Sequence, residues 1–495
     1  MSGLLAKKPL QSVRSEAEAG SLKRILGPYA LTALGVGGII GAGIFVTTGK
    51  AANQVAGPAL MISYVLAGFT CLLAALCYAE FAAMTPVAGS AYTYAYTTLG
   101  EIFAWIIGWD LILEYAVGAS TVATGWSSYL SNFLSLFPPD WGLKIPDIIN
   151  DSPVSYKDGK FVQTSAIINL PAVLIILALT AVLVKGIQES ARLNAVMVAI
   201  KVGAVLFVIL VGMMFINTSN WDDFAPYGWT GINVFGYQVA GQHRGDKPIG
   251  MIAGAAIIFF AYIGFDAVST QAEEAKNPQR DMPIGIIGSL VICTILYIAV
   301  VVVLTGMVKY NELDTKAAVS QAFASPQVGM PWAKGMISAA ALAGLTSVLL
   351  VMLLGSARVL MAVSRDGLLP PFFSTIHSKF KTPWKGTIVV GIFVALMSGL
   401  LPLDVLLEMT NIGTLFAFAV VCGAVLVMRH TNPDAPRPFR CPLVPLVPVL
   451  GMLTCLLLML SLPAENWYRL IIWMAIGLVI YFAYGRSHSV LGKQA

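Results

Sequence analysis

The chain has 495 residues, 57% of them hydrophobic and only 11% charged, with a mean hydropathy of +0.79 and a formal net charge of +5. Apolar windows of 18 or more residues recur along it, which excludes a soluble globular fold and marks an integral membrane protein. No segment alternates as barrel strands do, so the expected class is all-α, and the modest charge calls for no nucleic-acid partner.

The windows place twelve spans near residues 28–49, 58–84, 101–130, 164–184, 191–216, 249–273, 284–307, 334–364, 387–401, 405–428, 444–462 and 467–484. They are numbered 1 to 12 below. An even count puts both termini on one side. With the N-terminus inside, the inner segments carry eighteen Lys and Arg and the outer segments ten. The positive-inside rule then predicts cytoplasmic termini and a cell-membrane location. Residues 1–27 hold Lys7, Lys8, Arg14, Lys23 and Arg24 but no apolar core, so a cytoplasmic tail is expected rather than a cleaved signal.

Span 1 carries Gly35, Gly37, Gly38, Gly41 and Gly43. Glycine costs a helix about 1 kcal/mol per position relative to alanine, and backbone freed in lipid is tolerated only beside a cavity. A break there would turn N–H groups and a positive dipole end toward an anion, and bare carbonyls toward a cation. A substrate with neighbouring carboxylate and ammonium groups fits both. The alternative is a glycine seam for close helix packing. Span 2 ends before Pro86, with Glu80 near its inner end as a gate residue or a cap for a neighbouring helix. Span 3 holds Asp110 and Glu114 four residues apart, on one face. Each acid would need an interior partner, and the pair points to ion or proton handling, Glu114 ahead of Asp110.

In span 5, Lys201 is a lone ammonium among apolar residues. Burial opposes its charge and nearby carbonyls or carboxylates favour it, so it can trade a proton during a conformational cycle. The competing reading is a fixed ion pair with Glu114 or Asp266. Span 6 repeats the theme of span 1 in Phe260-Ala261-Tyr262-Ile263-Gly264-Phe265-Asp266. Breaks in spans 1 and 6 mark two inverted five-helix repeats, about 28–216 and 249–428. This divides the chain into a tail (1–27), a ten-helix core (28–430) and two C-terminal helices with a tail (431–495). After span 6, Glu273, Glu274, Lys276, Arg280 and Asp281 crowd one turn, where the acids paired with Lys276 and Arg280 would lock an inner gate. Of six cysteines, five lie in apolar spans and none forms an external pair, so no disulfide is expected. His243, His377, His430 and His488 all lie in loops or tails, which removes intramembrane haem and zinc chemistry; no metal or cofactor is expected.

Gly41-Ala42-Gly43-Ile44-Phe45, the stretch from Tyr78 to Tyr92, Phe260 to Asp266 with Glu273-Glu274 and Asn277-Pro278, and Ser364-Arg365-Asp366-Gly367 together resemble the amino acid–polyamine–organocation superfamily. More narrowly, they look like a bacterial member of the cationic amino acid transporter family. The resemblance runs over residues 25–430 in order, and the exit from span 6 is its most specific part. It implies a leucine-transporter-type core whose substrate carboxylate meets N–H groups around Gly41, Ala42, Gly43 and Ile44. The ammonium would meet carbonyls near Ile40 and in Phe260, Ala261 and Ile263, with the Phe260 ring as a gate. It also matches Lys201 to the lysine that replaces a cation in proton-coupled members, and Glu114 to an acid of the cationic branch. Animal members have fourteen helices, not twelve, but the additional pair lies outside the core.

These features predict a secondary transporter, not an enzyme: no Gly-x-Ser-x-Gly, His-Glu-x-x-His or Walker motif is present. A sensor that binds amino acids without moving them is the rival from another class. Expected partners are an L-amino acid, a proton and the bilayer, acting on a monomer. The breaks present Ile, Phe, Ala, Gly and Val, which fits a small neutral amino acid such as alanine better than lysine or arginine.

Overall fold

A computed structural model of the chain describes residues 4–9, 24, 26–85, 90–141, 143–157, 160–186, 191–245 and 247–493. The helix stop expected at Pro86 and the tail cations Arg14 and Lys23 lie outside them. Among the described residues, eight helical stretches are long and apolar enough to cross a membrane. The first, Pro28–Met84, is 57 residues long and covers the ranges of spans 1 and 2. Leu170–Lys185, Trp384–Leu400 and Leu446–Leu460 are shorter apolar helices, in the ranges of spans 4, 9 and 11.

Several helices outrun their apolar windows because polar residues finish them. Span 7 starts at Pro278, not at 284. Proline needs no N–H acceptor in a first turn, and the Asp281 carboxylate accepts the Asn277 N–H at 3.1 Å. Span 3 (Glu101–Leu134) and span 8 (Pro331–Arg365) are the long central helices, and they pack on each other. The share of each span that is buried sorts the bundle. It is 83% for Met251–Ala272 and 72% for span 3, against 33% for Val196–Phe215 and 22% for Ala464–His488. Spans 3 and 6 are therefore central, and spans 5 and 12 face outward.

The all-α expectation needs one correction. Three antiparallel hairpins fold in the long loops: β1 (Val154–Lys157) with β2 (Lys160–Gln163), β3 (Ile232–Val234) with β4 (Tyr237–Ala240), and β5 (Gln242–Arg244) with β6 (Lys247–Ile249). In the second pair Phe235-Gly236, both at positive φ, closes the turn. Two short helices, Ser90–Thr98 and Ala318–Ala324, also lie between spans.

At the end nearest the N-terminus, chain segments distant in sequence are tied together. The Glu101 and Ile102 N–H groups donate to Ala6 and Leu4, and Lys8 pairs with Asp366 at 3.0 Å. Tyr92 also donates to Asp366, at 2.6 Å, while Glu101 accepts from Tyr96, Tyr481 and Ser489. The start of span 3, the end of span 8 and both tails are joined there by groups from five stretches of chain.

Candidate functional site

The first helix runs Pro28–Ile39 and then leaves helical geometry at Ile40 (φ −70°, ψ 99°). It resumes in a wide turn over Gly43–Thr47. In span 6, Met251–Ile258 tightens to a 3-10 turn at Phe259–Tyr262, Ile263 extends, and Gly264 takes φ +118°. The chain resumes as a 3-10 helix over Asp266–Glu274. Both expected breaks are therefore present.

They cross in contact. A Cβ on Gly43 would sit 2.1 Å from Ala261 Cα, and one on Gly264 would sit 2.7 Å from the Gly38 carbonyl oxygen. Real Cβ atoms do not approach so closely, so hydrogen is the only substituent that fits at Gly43. Gly264 also needs the positive φ that glycine alone adopts freely. Ile40, Ala42, Ile44, Phe260, Ala261 and Ile263 are all buried around this crossing, beside Gly41 and Gly43. A restarting helix offers N–H groups with no intrahelical acceptor, and a stopping one offers carbonyls.

Supports from other spans hold the breaks open, and these are the residues that periodicity could not single out. Tyr297 of span 7 donates to the Ile39 carbonyl at 2.7 Å, and Tyr129 of span 3 donates to the Phe45 carbonyl at 2.7 Å. Asn411 of span 10 donates to the Ala256 and Ile257 carbonyls at 3.0 and 2.9 Å. Thr47 and Thr48 cap Gly43 O at 2.5 and 3.3 Å. A tyrosine, threonine or asparagine inside an apolar window is the only signal they leave in sequence.

Lys201 is fully buried and donates to the Gly37 carbonyl at 2.5 Å and to Ser347 Oγ at 3.1 Å. Its aliphatic stem lies on Gly344. Among the described residues it forms no ion pair, so the fixed bridge to Glu114 or Asp266 is not made. The ammonium instead ties span 5 to the unwinding end of span 1 and to span 8. Asp266 serves its own break, accepting from Tyr115 Oη and, at 3.3 Å, from the Gly264 N–H. Glu114 and Asp110 are buried, and among the described residues neither has a hydrogen-bond partner on its carboxylate oxygens.

Glu80 sits in a dense set of contacts. Its carboxylate accepts from Arg429 through two bonds (3.0 and 2.8 Å), from Arg437 at 3.2 Å and from the Cys441 N–H at 2.7 Å. That geometry anchors span 2 to the end of span 10 and the following loop, which matches the helix-capping alternative. At the inner turn, Glu274 pairs with Arg358 of span 8 at 3.3 Å, not with Lys276 or Arg280.

A membrane bundle whose two broken helices cross at their breaks is the architecture of a carrier, with its binding site at the crossing. The amino acid permease family profile matches residues 26–481. The chain belongs to that family, within the amino acid–polyamine–organocation superfamily, and is a multi-pass membrane protein. It is 45% identical to the methylthioribose transporter of Bacillus subtilis (strain 168), over all of both chains. It is equally 45% identical to that organism's branched-chain amino acid permease BcaP, over 98% of each. The vacuolar cationic amino acid transporter 4 of Arabidopsis thaliana is 32% identical, over all of this chain and 97% of its own.

Proposed function

We propose that this permease takes up small neutral L-amino acids, alanine among them, by proton-coupled alternating access. The observation that carries the reading is the crossing of the two breaks at Gly43 and Ala261, backbone against backbone. The site would hold the substrate carboxylate at the N–H groups of Gly41, Ala42, Gly43 and Ile44. Its ammonium would lie at the carbonyls of Ile40, Phe260, Ala261 and Ile263, with the Phe260 ring as the occluding gate. At the crossing, Val348 of span 8 stands against Gly41. This apolar neighbour favours an aliphatic side chain, and the branched-chain permease relative supports the same class.

Twelve spans, a five-plus-five inverted core, a cytoplasmic N-terminus and a single-chain substrate path complete the proposal. Lys201 is the positive charge that makes a sodium ion unnecessary, because its ammonium already bonds to the end of the first half-helix. Glu114 and Asp266 are the other candidates for the coupled proton.

One observation favours a second reading. Among the described residues Glu114 is a buried carboxylate with no hydrogen-bond partner, and a lysine or arginine substrate reaching it would find a counter-charge.

Uptake into proteoliposomes separates these readings. Alanine uptake should rise with an inward proton gradient and be unchanged when choline replaces sodium. Lys201→Ala should remove the pH-gradient response while leaving alanine exchange, since exchange needs the site but no net proton movement. Strict sodium dependence would overturn the coupling, and uptake of lysine but not alanine would favour the second reading. Binding without counterflow would make the protein a sensor.

A further inference from the structure

Outside the substrate site, Arg280 differs from three arginines near the same end of the bundle in having no acid partner among the described residues. Arg358, Arg429 and Arg437 each pair with an acid. Two acids of the same turn are engaged elsewhere: Glu274 pairs with Arg358, and Asp281 accepts the Asn277 N–H. No side-chain hydrogen bond or ion pair of Arg280 is found among the described residues. It stands instead in the wall of a groove of about 650 Å³, together with Asn277, Gln279, Ile284, Ile287 and Phe439. No acidic residue lines that groove.

The groove continues into a lipid-facing surface. Ile284 is 43% exposed, and Val291, Ile292 and Ile295 follow on the same side of span 7 at 42%, 42% and 64%. Their spacing of seven, eight and eleven residues puts them on one helical face. A cation with two amides thus sits at the end of an apolar strip about 16 Å long, since eleven residues rise about 1.5 Å each. A phospholipid has that same division, a charged head on an apolar chain. An unpaired guanidinium also suits a phosphate, which it can bind through two parallel bonds.

We infer that this groove binds one anionic phospholipid from the leaflet on the N-terminal side, its phosphate on Arg280 and an acyl chain along Ile284, Ile287 and the strip below. The inference is independent of the substrate reading, and neither test bears on the other. A free anion would satisfy Arg280 but leave the strip uncovered. A zwitterionic lipid would cover the strip, but its own cation would compete for the phosphate.

The test uses full-length protein in nanodiscs of phosphatidylcholine doped with phosphatidylglycerol, read by native mass spectrometry and by thermal melting. Phosphatidylglycerol should be retained preferentially and should raise the melting temperature. In Arg280→Gln its retention should fall about fivefold, the size expected for one basic residue at a membrane surface. Arg280→Lys should keep part of the preference, and both variants should fold, because Arg280 is exposed. Equal retention of the two lipids by the wild type, an undiminished preference in Arg280→Gln, or reproduction of the effect by inorganic phosphate would overturn the inference.

Discussion

At Gly43 a single hydrogen lets two unwound backbones touch. The neighbouring atoms are Ala261 Cα and N, which cannot move aside as a flexible side-chain end would. Valine there adds a branched side chain to a contact already closed, and overpacking of this kind costs about 1–3 kcal/mol or more. Gly43→Val should therefore weaken alanine binding by at least about tenfold to a hundredfold while the protein remains monodisperse in detergent. The check is isothermal titration or thermal shift with alanine. Near-wild-type affinity would remove the substrate site from the crossing. Lys201 shows the same economy at the other side of the break. Its ammonium takes a carbonyl that unwinding had exposed, and its stem packs on Gly344, where a side chain would not fit without displacement.

At the scale of elements, each broken helix depends on intact ones. The carbonyls of Ile39, Phe45, Ala256 and Ile257 each accept from side chains of spans 3, 7 and 10. In an apolar setting each such group left unpaired would be costly, so these supports stabilise the unwound state. The Glu80 clasp does different work. It joins the second span to the end of the tenth through two arginines, and its carboxylate and the Arg437 side chain are 1% and 2% exposed. Removing one member of a buried ion pair leaves its partner uncompensated, which costs about 3–5 kcal/mol. Glu80→Ala should therefore lower the melting temperature in detergent, whereas a gate residue would alter transport and spare stability. An unchanged melt with altered uptake would favour the gate role.

Across the whole molecule, four of the ten outer cations that count against the proposed orientation are matched by acids. Lys50 pairs with Asp404, Lys247 and Arg469 with Glu408, and Lys316 with Asp151. Acidic partners do little to the positive-inside rule, which counts Lys and Arg alone, so the excess at the N-terminal side still supports the proposed orientation. All six native cysteines are free and buried, so a new surface cysteine would be the reactive one. Lys160 and Lys493 are both exposed and lie at opposite ends of the proposed topology. With an impermeant maleimide, Lys160→Cys should label in intact cells and Lys493→Cys only after permeabilisation. The reverse pattern would invert the topology.

Chemistry carried by the chain locally was legible in order of residues alone. Long apolar windows, glycines clustered at residues 35–43, the Gly264 position and a lysine amid valines and isoleucines require no partner to be read. They point to a membrane bundle, two breaks and a buried charge, because bilayer thickness and backbone hydrogen bonding constrain every helix separately. Which side chain answers which freed group was decided only in three dimensions. Lys201 met the Gly37 carbonyl rather than Glu114, Glu80 met Arg429 and Arg437, and Glu274 met Arg358 in place of Arg280. Those pairs are separated by 84 to 357 residues. Helix periodicity tells which face a charge occupies; only the packing of other helices against that face determines what it touches.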